Sequence, residues 1–233
     1  MTVILKTLAT AAALATLACA APAPLEPRVA CASGLYMIVA RGSNEPAGEG
    51  RIAAVTSAVK QQVPGSSSVA VDYPASILGG TLYPESVVKG INDAKKKVQD
   101  YVAACGANSH IVLLGYSQGG NVMSDMLAGG VLKPAPLDTS YHKYIKSVVT
   151  FADPTFVANK TYDYGSNAHG KNGIFSRSGN SGEMALLDAY SSIMATYCDV
   201  HDAVCASGDS TAVHGVEVEN HTQEAINFIV AHK

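Results

Sequence analysis

The sequence contains no tryptophan, only four phenylalanines and few charges, Asp, Glu, Lys and Arg together making 15% of the 233 residues. Each shortage excludes something. An appended sugar-binding module, which normally stacks aromatic rings on sugars, is not visible. Lys and Arg number 16 against 19 Asp and Glu, for a formal charge of −3, and the longest basic run is Lys95-Lys96-Lys97. That is not the electrostatic footprint of a phosphate-backbone binder, so no nucleic-acid partner is expected. After the first twenty residues no apolar run is long enough to cross a bilayer. No HExxH is present and the cysteine spacings are not those of zinc-binding pairs, so neither metal nor cofactor is expected. What is present is a chain with 48% hydrophobic residues, too apolar for a disordered protein and long enough for a sizeable core in one domain.

Residues 1–20 read as a secretory signal peptide: Lys6, an Ala- and Leu-rich stretch from Leu8 to Leu17, then Ala18-Cys19-Ala20 as a small-residue cleavage site. A lipoprotein reading of Cys19 is poor, because Thr16 stands where such a motif wants Leu. Residues 21–30 form a Pro-rich segment or pro-peptide, and 31–233 the remaining domain. Cys19 leaves with the signal peptide, so the odd count of five cysteines becomes an even four in an oxidising compartment. Three connectivities are possible. The favoured one joins Cys198 to Cys205 across a tight loop and Cys31 to Cys105 at the end of a helix. A secreted, extracellular monomer is expected.

Strands and helices alternate along the rest. Leu35–Ala40, Ser68–Tyr73, Ile111–Leu114 and Ile145–Phe151 read as strands, with a short fifth near Gly173–Phe175. Helical spacing runs through Ile52–Val63, Glu85–Ala104, Gln118–Leu127 and Thr222–His232. The Lys95–Lys97 run falls mostly on the outer face of its helix, and residues 154–182 read as a long surface loop. This alternation predicts an α/β fold of three layers, a doubly wound, mainly parallel five-stranded sheet covered by helices on both faces.

Gly115-Tyr116-Ser117-Gln118-Gly119 is a G-x-S-x-G pattern set between the third strand and a helix. The bare pattern is weak; its strand-turn-helix setting discriminates. A sharp turn lifts a serine hydroxyl above a sheet, and glycines on either side keep side chains from colliding. Ser117 is then the candidate nucleophile, and the Gln118 N–H points to where an attacked carbonyl oxygen gains charge. A serine needs a base, and the base an orienting acid. His214, in the loop before the last helix, fits best. His221 reads as a capping or surface residue, and His110, His142, His169, His201 and His232 as solvated. Asp202, inside the Cys198–Cys205 loop, is the favoured acid, with Asp199 and Asp209 as rivals and Asp153 as a structural candidate.

At these residues the chain resembles the fungal cutinase and acetylxylan esterase family, carbohydrate esterase family five. The resemblance rests on Ala40-Arg41-Gly42-Ser43, Asp72-Tyr73-Pro74-Ala75, Gly115–Gly120, Asp153-Pro154, Gly173-Ile174-Phe175, and Cys198-x3-Asp202-x2-Cys205 followed by His214. It implies a small secreted serine esterase with a cutinase-like α/β-hydrolase sheet in flavodoxin-like order and no lid domain. The family's triad maps onto Ser117, Asp202 and His214. Its oxyanion hole maps onto the amides of Ser43 and Gln118, with the Ser43 hydroxyl assisting, and its disulfides onto Cys31–Cys105 and Cys198–Cys205.

The features that bear on substrate class point two ways. The Asp202-to-His214 spacing and Tyr73-Pro74-Ala75 look like the acetylxylan esterase branch, whereas four mature cysteines are the cutinase-like count. Ala152 and His221 depart from the family's usual Gly and aromatic residue. Ile77, Leu78, Leu82, Met184, Leu186 and Leu187 are candidates for an apolar rim that receives acyl chains. The expected substrates are polymeric or small esters: cutin, acetylated xylan or short-chain acyl esters. A non-catalytic secreted binding or elicitor protein with a hydrolase-like shell is the rival reading, which the intact Ser, Asp and His set opposes. Asn159 and Asn220 begin glycosylation sequons.

Overall fold

A computed structural model describes residues 29–233. The expected signal peptide and most of the Pro-rich segment lie outside the described residues. Among the described residues six strands form one parallel sheet: β1 (Tyr36–Ala40), β2 (Ser67–Ala70), β3 (Ile111–Tyr116), β4 (Ile145–Phe151), β5 (Asp163–Tyr164) and β6 (Met194–Tyr197). Their spatial order is β2-β1-β3-β4-β6-β5. Strand β3 is buried throughout because both its faces are covered. Its side chains alternate: Ile111 and Leu113 point into one apolar layer with Ile38 and Val148, while Val112 and Leu114 point into the other with Val39 and Val149.

Helices fill the two layers as the crossover rule requires. The first layer is covered by α2 (Tyr83–Cys105), which buries Val87, Ile91, Ala94 and Val98, and by α3 (Gln118–Ala128). The second is covered by α1 (Ala53–Gln62) and α6 (Glu217–Ala231), through Val55 and Val59 on one and Val218, Ala225, Ile226 and Ile229 on the other. Two short helices, α4 (Ser181–Asp188) and α5 (Thr211–His214), complete the set. The lysine run lies along α2, where Lys96 pairs with Asp100 and Lys97 with Asp93, the i,i+4 arrangement of a solvated helix. No described helix is long and apolar enough to cross a membrane.

Two expectations need correction. The fifth strand is not at Gly173–Phe175. There the backbone amides of Gly173, Ile174 and Phe175 bond to Phe156, Val204 and Pro154 carbonyls of surrounding loops, so no ladder forms. Met194–Tyr197 takes that place, and the two-residue β5 adds a sixth strand at the edge. The stretch 154–182 is mostly loop as expected, but Asn180 then starts a helix: its side chain accepts from the Glu183 amide at 3.2 Å.

The order reverses between β1 and β3, since β1 leads to β2 on one side and β3 leads to β4 on the other. In open parallel sheets a crevice forms at the carboxyl ends of such strands. Ser43 follows β1 and Ser117 follows β3, so the fold brings both to the mouth of that crevice.

Candidate active site

Ser117 ends β3 with φ 53° and ψ −118°, a conformation that non-glycine residues rarely adopt. The turn is tight enough to dictate its neighbours. A Cβ at Gly119 would stand 1.9 Å from the Ala40 carbonyl oxygen, and one at Gly115 would stand 2.3 Å from the Gly119 oxygen. Glycine at both positions therefore follows from close packing of α3 onto β1 and β3. The turn is fastened by the Ser117 amide donating to Phe151 O at 2.9 Å and by Asn121 donating back to Ser117 O at 3.1 Å.

The Ser117 Oγ lies 2.9 Å from His214 Nε2, and His214 Nδ1 lies 2.9 Å from Asp202 Oδ2. The candidate nucleophile, base and acid thus form one continuous hydrogen-bonded line. His214 stands in the single turn of α5, where sequence reading expected a loop; the Ser210 hydroxyl accepts from the Val213 amide at 3.1 Å and starts that turn. The Tyr116 hydroxyl donates to the His214 carbonyl at 2.8 Å, and its ring faces the imidazole with centroids 5.4 Å apart. Arg51 lies over the Tyr116 ring, 5.6 Å from its centroid, and bonds to Gly215 O and Glu219.

Asp202 is wholly buried in the loop closed by Cys198 and Cys205, whose sulfurs are bonded at 2.06 Å. Its Oδ1 accepts from the Val204 and Cys205 amides at 2.6 and 2.8 Å. Burial alone would raise its pKa, but hydrogen bonding to His214, the imidazole's charge and the two backbone amides outweigh it and hold the carboxyl below its usual range. The second bridge, Cys31–Cys105, is also formed, at 2.01 Å.

Ser43 is the other half of the crevice. Gln118 is buried and its side chain makes three hydrogen bonds: Nε2 donates to Ser43 Oγ and Ser76 O, each at 3.0 Å, and Oε1 accepts from Ser86 at 2.7 Å. Around it, the Gly42 amide donates to Glu45 at 2.6 Å, Asn44 donates to Ala75 O at 2.7 Å and Arg41 reaches Tyr73 O at 2.8 Å. The loops after β1 and β2 are thereby tied to each other and to the first turn of α3. The side chains of Gln118, Tyr116, Arg41, Glu45 and Ser86 were not singled out in this scaffolding role from sequence.

The rival candidates lie elsewhere. Asp199 accepts from Ser166 and from His221 instead of His214, and Asp209 is exposed beside His201. Asp153 is structural: it is buried, accepts from Ser124, and accepts from Thr155 through its amide and hydroxyl at 2.8 and 2.6 Å. His221 is not a surface or capping residue; it is buried in α6 with its ring 4.9 Å from that of Tyr197. Of the expected apolar rim, Ile77, Leu78 and Leu82 are exposed and Leu186 is partly so, but Met184 and Leu187 are buried, Leu187 against the first layer. Both sequon asparagines, Asn159 and Asn220, are exposed, the second on the surface of α6.

A doubly wound parallel sheet with a strained serine elbow at its switch point, facing a histidine and a buried aspartate, defines the class as an α/β hydrolase with a cutinase-like sheet and, among the described residues, no lid domain. The cutinase family profile matches residues 31–233, and the chain belongs to that family of carboxylic ester hydrolases. It is 31% identical to acetylxylan esterase 2 of Talaromyces purpureogenus over 207 residues, covering 84% of this chain and 85% of that one. Cutinase 11 of Verticillium dahliae is 30% identical over 227 residues, covering 93% and 74%. Among solved structures, the catalytic core domain of acetyl xylan esterase from Trichoderma reesei superposes with a TM-score of 0.75 at 27% identity, over 88% of this chain and 100% of that one.

Proposed function

We propose that the protein is a secreted serine esterase that cleaves carboxylic esters of plant polymers through an acyl-enzyme. The observation that carries this reading is the line Ser117 Oγ, His214 Nε2, His214 Nδ1, Asp202 Oδ2, with 2.9 Å at each hydrogen bond. His214 takes the proton of Ser117 as the oxygen attacks the ester carbonyl, and the bond to the alcohol breaks as the imidazolium returns that proton to the leaving oxygen. Water then attacks the acyl group by the same route, releasing the acid and restoring Ser117. Asp202 holds the imidazole tautomer and balances its charge. The amides of Ser43 and Gln118, with the Ser43 hydroxyl, stabilise the oxyanion of each tetrahedral intermediate.

Access supports bulky substrates. The loop from Ser76 is hydrogen-bonded to Gln118 and presents Ile77, Leu78 and Leu82 to solvent. An open cleft of about 460 Å³ runs along α3 from Asn121, one turn beyond Ser117, between Tyr83, Leu132 and Phe175. Acetylxylan and cutin, for which relatives are named, are both bulky polymer esters. The short apolar leader and the two disulfides support export.

Ser117→Ala is expected to lower kcat on p-nitrophenyl butyrate by roughly 10⁴-fold or more while leaving the thermal unfolding profile intact. An organophosphate reagent should label the wild type once and the variant not at all. Turnover that survives in Ser117→Ala would remove the assignment, and a wild type that resists labelling would favour the non-catalytic shell. Acetylated xylan, a polyester film and p-nitrophenyl esters of increasing length, assayed in parallel, decide the substrate class.

A further inference from the structure

A second cluster of ionisable groups lies outside the Ser117–His214–Asp202 line, with its Glu217 beside Asp202. Asp199 lies three residues before Asp202, and Glu217 three residues after His214. His221 follows one turn later on α6. Asp199 Oδ2 is 3.1 Å from His221 Nε2, and Glu217 Oε2 is 3.7 Å from the same nitrogen. The three donor atoms all lie within 4.8 Å of one another. The cluster is built and oriented: Asp199 Oδ1 is fixed by the Ser166 amide and hydroxyl at 2.9 and 2.8 Å, and Glu217 Oε1 by the Asp199 amide at 2.7 Å. His221 Nδ1 faces Glu224 Oε2 at 2.9 Å, and the ring stacks on Tyr197.

With every carboxylate ionised this arrangement is incomplete, and burial, together with the neighbouring Asp199 and Asp202, pushes the Glu217 carboxyl up to about 8, so that it holds a proton unless a cation replaces it. A doubly protonated His221 satisfies Glu224 through Nδ1 and Asp199 through Nε2, which exhausts its donors. Glu217 Oε2 then remains without a partner, on a side chain that is 0% exposed and aimed at the same nitrogen. A buried carboxylate oxygen without a donor is costly.

We propose that Asp199, Glu217 and His221 form a binding site for a divalent transition metal, with zinc as the ion suited to one imidazole and two carboxylates. The ion takes the place of the single Nε2 proton and reaches both oxygens at once, with water as the remaining ligand. Two ligands of a tetrahedral zinc stand roughly 3.3 Å apart, between the 3.1 and 3.7 Å found here. The Nδ1–H to Glu224 contact is the outer carboxylate that orients metal-bound histidines. Asp199 adjoins Cys198 and Glu217 opens α6, so the bound ion cross-links the acid-bearing loop to the helix that follows His214. Glu217 and His221 stand one turn apart on α6, but the third ligand, Asp199, comes from a separate loop that only the fold brings beside them.

The test is titration of the metal-stripped full chain with zinc chloride in phosphate-free buffer, read by calorimetry and by thermal unfolding, and it holds whether or not the chain turns over esters. Saturation near one ion per chain and a rise in Tm of several degrees are expected. His221→Phe, which keeps a ring against Tyr197, and Glu217→Gln are expected to weaken binding at least about tenfold and to lose the rise. If His221→Phe does not fold, Asp199→Asn carries the same comparison. No saturable binding up to roughly 1 mM zinc overturns the proposal, as do variants that bind as tightly as the wild type, since the ion then sits elsewhere.

Discussion

Ser117 holds a left-handed backbone conformation that costs on the order of 1–3 kcal/mol in a residue with a side chain, and the surroundings over-determine it. The same logic governs its partner Ser43, whose hydroxyl is held by the Gln118 amide at 3.0 Å. A group fixed this way costs nothing further to orient when charge develops beside it. Ser43→Ala is accordingly expected to lower kcat about 100-fold with little change in KM, the size of effect seen when an oxyanion donor is removed. Steady-state kinetics on a soluble ester measure this, and a change confined to KM would place Ser43 in ground-state binding instead. At this scale much of the candidate site was legible. Ser117 stood in a recognisable pattern, and Asp202 and His214 stood in distinctive places after it. The scaffold around them was not legible, because Gln118 meets Ser43 and Ser86 across 75 and 32 residues of chain. Only tertiary folding makes such contacts.

Among the elements, β1, β3 and β4 were readable because burial on both faces demands continuous apolar runs. Strand β6, Met194-Ala195-Thr196-Tyr197, is four residues long, and β5 has two. Neither carries a pattern of its own; β6 is a strand because β4 offers it a partner, and β5 because β6 does. Helix α4 did carry a signal, Asn180 followed by Glu183 three residues later, and the Gly- and Ser-rich surroundings concealed it. The edge strand has a measurable weakness at Asp163. Burial is the main cause that pushes its carboxyl up to about 7; the Lys160 amide and charge oppose this, and Asp188 adds to it. A carboxyl with a raised folded-state pKa contributes stability that is complete below its unfolded value, declines as pH rises, and is gone above about pH 7. Asp163→Asn cannot ionise, so its Tm relative to wild type should improve between roughly pH 4 and pH 8. Paired melts at those two values check it, and a difference that does not change with pH would contradict the assignment.

Across the whole molecule the two disulfides have different tasks. Cys31–Cys105 spans 74 residues and Cys198–Cys205 only 7. Loop-closure entropy then assigns about 4 kcal/mol to the first and about 2.5 kcal/mol to the second. Replacing the first pair by serine is expected to cost more Tm, and replacing the second more activity, because the short loop positions Asp202. Melting curves and kcat for the two double variants read out both orderings, and a reversed order in either would refute this division. The parallel sheet also sets where things can be attached. Ser117, Asp202 and His214 gather at the carboxyl ends of the strands, whereas Cys31 precedes the start of β1 and α6 runs back from His214 to finish at Ala231. Five to six residues of strand separate the two ends of the sheet by about 20 Å. A tether joined ahead of Cys31 or beyond Ala231 therefore leaves from the underside, and a protein anchored to a bead or a carrier by either point would turn its open mouth outward, toward whatever solid it is pressed against.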